Sequence, residues 1–157
     1  MTQLHTPAAV ANKFLSLAAD RGDTLSPLQV IKLVYMAHGF MLGLYGRALV
    51  NEEAEAWTYG PVFRTLYRQV KKFGSQPVQP IACQTEQFDE LEDDIIKQVY
   101  DKYGTKTAMW LSKLTHQPDS PWSQVWDDGR GHSAKISNDL LEDYYSRLAG
   151  GAAASPS

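Results

Sequence analysis

A helix that is apolar on nearly every side must be surrounded by the rest of its chain, and residues 27 to 45 read as such a helix. Ser26 precedes Pro27, a hydroxyl cap followed by proline at the first helical position, and Leu28, Ile31, Val34, Tyr35, His38 and Leu42 then recur at helical spacing. Leu33, Met36, Phe40 and Met41 fill the remaining sides, so contacts must come from several directions. The other elements are therefore expected to wrap this one. A chain of 157 residues, 43% hydrophobic and 21% charged, is large enough to do so as one domain with a substantial core.

The flanking sequence supplies those elements. Thr6-Pro7 starts a first helix, Val10, Phe14 and Leu17 give it an apolar stripe, and Arg21-Gly22-Asp23 stops it. After Tyr45 the period shortens: Leu49 and Val50 suggest a strand, Asn51-Glu52-Glu53 a turn, and Ala54 to Trp57 the returning strand. So small a hairpin needs an anchor on the helices, and Trp57 or Tyr59 is the candidate. Gly60-Pro61 reads as a strand-to-helix corner, with Trp57 through Val62 as an interior joint. A third helix then carries Val62, Leu66, Val70 and Phe73 on one stripe and Arg64, Arg68, Lys71 and Lys72 mostly opposite.

Residues 75 to 85, with two prolines, read as a long surface connection. A fourth helix from Phe88 or Asp89 to Tyr103 begins with acidic residues that suit its dipole. Thr105 is the expected cap of a fifth, which buries Ala108, Leu111, Leu114 and Thr115. Pro118 and Pro121 predict a loop holding Trp122 and Trp126, Asp127 to Gly131 an exposed turn, and Ser137 or Asn138 the cap of a last helix with Leu141 and Tyr145. The fold class is mainly α: a compact bundle of about six helices with a small β-hairpin between the second and third. One domain is expected over 1–149, with a flexible C-terminal tail over 150–157.

Composition narrows the chemistry. The single cysteine, Cys83, forms no internal disulfide and no Cys-based zinc site, which fits a reducing compartment. Residues 1 to 9 lack the pattern of a signal peptide, and no continuous run of about 18 apolar residues is present, so a cytoplasmic protein with no membrane partner is expected. A net charge of −3 exerts no general pull on nucleic acid. His38 and His116 make a poor metal pair without a third ligand, and buried, hydrogen-bonded histidines are the simpler reading; Thr115 or a carbonyl near His116 is one conceivable partner for His38. Asp127, Asp128 and His132 lie in a glycine-rich turn, Ser112, Ser120, Ser123 and Ser133 lie in no nucleophile motif, and there is no phosphate-cradling loop. No catalytic group, metal or cofactor is expected. Arg64, Arg68, Lys71 and Lys72 are the candidate partner-binding residues, as an exposed cationic face suited to protein contact.

Four blocks occur in order: Leu33, Tyr35 and His38; Ala56, Trp57, Gly60, Pro61 and Val62; Leu111, Thr115 and His116; and Pro121 with Trp122. In this the sequence resembles the Panacea domain, the SocA-like antitoxin (GepA-like phage-associated) family, over nearly the whole chain from Val10 to Tyr145. The resemblance implies a mainly helical, non-enzymatic antitoxin of a bacterial or prophage toxin-antitoxin pair, which neutralises a cognate protein toxin by direct binding. The matched residues look like scaffold. An adaptor that delivers its partner to a protease and a DNA-binding regulator are the alternatives, the latter resting only on the cations of the third helix.

Overall fold

The computed structural model describes residues 4–150. Of the tail expected over 150–157, residues 151–157 lie outside the described residues. Chain order is α1 (Pro7–Asp20), α2 (Pro27–Tyr45), β1 (Ala54–Trp57), β2 (Gly60–Val62), α3 (Arg64–Val70), α4 (Glu90–Tyr103), α5 (Ala108–Thr115), α6 (Pro121–Trp126), β3 (Lys135–Ile136) and α7 (Asn138–Ala149). Single 3-10 turns follow α3 and α6.

The apolar helix is central, as its composition demands. α2 touches α1, α3, α4, α5, α7 and β2. By length and composition it also qualifies as a membrane-crossing segment, but most of it is buried against these neighbours, as a core helix is. Its start is fixed by a capping box in which Ser26 accepts from the Gln29 amide and the Gln29 side chain accepts from the Ser26 amide. Its most extensive contact is with α7. Gly39 and Gly43 permit that approach: a Cβ on Gly39 would stand 2.4 Å from the Tyr145 ring, and one on Gly43 2.5 Å from the Tyr145 carbonyl carbon.

The hairpin forms one strand later than the sequence reading placed it. β1 pairs antiparallel with β2, with Glu55 opposite Val62 and Trp57 opposite Gly60, while β3 covers the other edge in the order β2-β1-β3. Leu49 and Val50 are not its first strand, because both of their N–H groups donate to His38 Nδ1, each at 3.2 Å. Val50 makes only an isolated parallel bridge with His5. Gly60-Pro61 belongs to β2 and not to the start of a helix. α3 begins at Arg64 without a side-chain cap from Phe63, and the Glu52 carboxylate accepts the Thr65 amide instead, at 3.2 Å.

Two further differences follow from local chemistry. Thr107, not Thr105, caps α5 by accepting from the Trp110 amide. Residues 121 to 126 form α6 where a loop was expected, because Ser120 accepts from the Ser123 amide and Pro121 occupies the first helical position. Seven α-helices are thus present among the described residues. The connection between α3 and α4 is strapped onto α1: Asn12 exchanges two hydrogen bonds of 2.8 Å with the Ile81 backbone, and Glu86 accepts from the Thr6 hydroxyl.

Candidate protein interface

The hairpin is held from beneath by a charge that the sequence reading passed over. Lys32 is fully buried in α2, and its Nζ donates to the carbonyls of Tyr59 at 2.8 Å and Pro61 at 3.3 Å. Burial lowers its pKa from 10.5 to about 7. Gly60, at φ +113°, leaves the room it needs: a Cβ there would lie 2.3 Å from Lys32 Nζ and 3.1 Å from His116 Nε2. Among the described residues the buried His116 Nε2 has no hydrogen-bond partner, and burial, followed by the nearby Lys32 charge, pulls its pKa below the ordinary histidine value. The other side of the joint is tied by Trp122, whose Nε1 donates to the Trp57 carbonyl at 2.7 Å and whose ring lies 4.1 Å from that of His116. A lone lysine in an otherwise apolar helix was the available signal for Lys32.

His38 sits in a separate nest. Its Nδ1 accepts from Leu49 and Val50, so Nε2 carries the proton and donates to Asn138 Oδ1 at 2.9 Å. Thr115 is not its partner; that hydroxyl donates to the carbonyls of Leu111 and Ser112 in its own helix. Burial lowers the His38 pKa to about 4, against a smaller opposing effect of Asn138, and keeps the ring neutral. Both histidines are therefore packed against the fold in different places. Leu33, Tyr35, Val62, Leu111, Thr115 and Pro121 are likewise buried.

On the outer side of the sheet, Glu55 is 2% exposed and accepts from Arg64 at 3.0 and 2.8 Å, from Trp57 Nε1 at 3.0 Å and from Lys135 at 3.2 Å. These bonds, Arg64 foremost, hold its pKa down to about 2 despite burial. Arg64 is thus committed to the hairpin and lies over Trp57 as well. Arg68, Lys71 and Lys72 are exposed, and among the described residues none of the three has an ion pair. Between the start of α2, the hairpin and α3 runs an apolar groove of about 400 Å³. Leu28, Ile31, Trp57, Tyr67 and Val70 line it, with Lys71 as its one charged wall. Trp57 is half-buried here, not interior, packing edge-on against Tyr67, and Tyr59 at the hairpin tip is 74% exposed.

Residues 30–123, which contain Lys32, the hairpin, α3 and Trp122, match the family described as Antitoxin SocA-like, Panacea domain. The chain belongs to this family. It is 33% identical over 128 residues to Antitoxin SocA of Caulobacter vibrioides (strain NA1000 / CB15N), an alignment covering 74% of this chain and 68% of that one. No solved structure matches. The matched stretch of the Panacea domain stops before β3 and α7, so Asn138, Lys135 and Tyr145, which complete the His38 nest, the Glu55 cluster and the α2 seam, lie beyond it. The acidic turn after α6 is a solvated feature of this Panacea protein: Arg130 pairs with Asp127, and His132 contacts Ser133 and the Trp126 ring. Among the described residues no group of three His, Cys, Asp or Glu is placed to hold a metal ion.

Proposed function

We propose that this protein is a cytoplasmic, non-catalytic antitoxin that neutralises a protein toxin by binding it directly. The observation that carries the reading is its membership of the antitoxin family, supported by 33% identity to a protein named Antitoxin SocA. The chemistry of the matched residues supports it further. Lys32, His38, His116 and Trp122 bind their own backbone or pack on it, which suits a scaffold that presents a surface. Arg68, Lys71 and Lys72 form an exposed cluster of cations available to a partner, whereas Arg64 serves the hairpin.

The test is co-expression with the product of the neighbouring reading frame. That product alone should arrest growth, and this protein should relieve the arrest and co-purify with it. Growth arrest that is relieved without any physical association would overturn the direct-contact reading, and no relief at all would overturn the antitoxin role.

A further inference from the structure

We infer that the groove between α2, the hairpin and α3 receives a large apolar side chain from an acidic segment of the partner protein. This rests on the antitoxin reading for the partner's identity as a toxin, but the chemistry of the groove stands on its own.

Three observations carry it. The first is shape: a cleft of about 400 Å³ lined by Leu28, Ile31, Trp57, Tyr67 and Val70 has room for an aromatic or long aliphatic side chain. The second is rigidity. Trp57 is fixed by its Nε1 bond to Glu55 and by the Trp122 bond to its carbonyl, while Lys32 holds the Tyr59 and Pro61 carbonyls from inside the fold. A wall built this way needs little ordering when a ligand enters, which favours binding. The third is charge. Lys71 forms part of the groove, Arg68 lies on α3 and Lys72 beside Lys71 in the turn that follows it, and among the described residues none of the three has a carboxylate partner. Elsewhere Lys13, Arg21, Arg47, Lys97, Arg130, Lys135 and Arg147 are ion-paired, while Lys106 and Lys113, which among the described residues are not, lie on or just before α5 and do not line the groove. A chain of net charge −3 that keeps three adjacent cations unanswered beside its apolar groove is complementary to carboxylates flanking an apolar anchor. Tyr59, exposed at the rim, adds an aromatic face of the kind enriched where partners dock.

Two measurements test the groove. In the first, the probe is 8-anilinonaphthalene-1-sulfonate, which joins an aromatic body to one negative charge. Its fluorescence titration should show saturable binding to the wild-type protein, weakened about tenfold in Leu28→Asp and severalfold in Lys71→Glu, and unchanged in Lys113→Glu, a distant exposed cation on α5. Melting curves that match wild type identify variants that are folded. Absence of saturable binding, or equal binding in all variants, overturns the inference. In the second, the growth-arresting neighbour product is titrated against the same variants. Loss of affinity in Leu28→Asp and Lys71→Glu supports the groove as its seat. Full affinity in both overturns the groove while leaving the antitoxin reading intact. Dye binding in the groove with no binding of the neighbour product to wild type overturns the direct-contact reading, and with it the groove as a seat for that product, and leaves only the groove's preference for an apolar anion standing.

Discussion

At the scale of single residues, the hairpin depends on two buried charges handled in opposite ways. Glu55 is met by three donor residues, so its ionised form is favoured in the fold; Lys32 is buried with carbonyl acceptors and no carboxylate to offset the loss of water, so desolvation disfavours its ionised form. With its pKa lowered from 4.5 to about 2, Glu55 contributes stability that is present above pH 4.5 and lost as pH falls toward 2. Chemical denaturation across that window should show the loss in wild type and a flatter profile in Glu55→Gln. Lys32 has the reverse consequence. Between about 7 and 10.5 its unfolded form holds a proton that the folded form does not, so stability should rise with pH over that interval until the buried tyrosines, raised in pKa, oppose it above 10. Lys32→Met should remove that rise. Gly60→Ala combines an unfavourable φ with a clash against Lys32 Nζ and should cost about 2–3 kcal/mol in a urea melt.

At the scale of elements, most of the helices were legible in the sequence because their caps are local. Thr6-Pro7, Ser26-Pro27 and Ser137 announce α1, α2 and α7 through contacts within three residues, and the structure shows each of them. The hairpin was misplaced because its register is decided from afar. Nothing in Leu49-Val50 reveals that an imidazole 11 residues upstream takes the Leu49 amide. α6 was missed for a different reason: proline was read as a breaker, although Ser120-Pro121 repeats the start signal of α2. The candidate face was legible in part. The cationic spacing picked out Arg68, Lys71 and Lys72, but the partner of Arg64, Glu55, lies on another element, and the groove exists only once α2 and α3 pack. The α2–α7 seam gives a prediction at this scale. Gly43→Ala should force α7 away and lower stability by about 1–3 kcal/mol, read by calorimetry, and Tyr145→Ala should relieve less of it than expected because the nearest atoms at Gly43 are backbone.

For the molecule as a whole, some surface cations among the described residues are ion-paired within the fold, as Arg64 is with Glu55, and others, such as Arg68, Lys71 and Lys72, are not. Arg68→Glu with Lys71→Glu and Lys72→Glu should leave the melting temperature close to wild type while weakening rescue from the toxin in a growth assay. Arg64→Glu, by contrast, sets a second carboxylate against buried Glu55 and should lower the melting temperature by several degrees. Full rescue by the triple variant would remove that face from the interaction.

The His38 nest bears on incomplete chains. One imidazole is completed by amides at positions 49 and 50 and by a side-chain oxygen 100 residues downstream, and the same final helix closes over Gly39 and Gly43. A chain that ends before Asn138 therefore lacks the acceptor for His38 Nε2 and leaves Gly39 and Gly43 uncovered. Such a fragment is expected to be cut by proteases more readily than the full chain, which limited proteolysis of a version truncated before Asn138 checks.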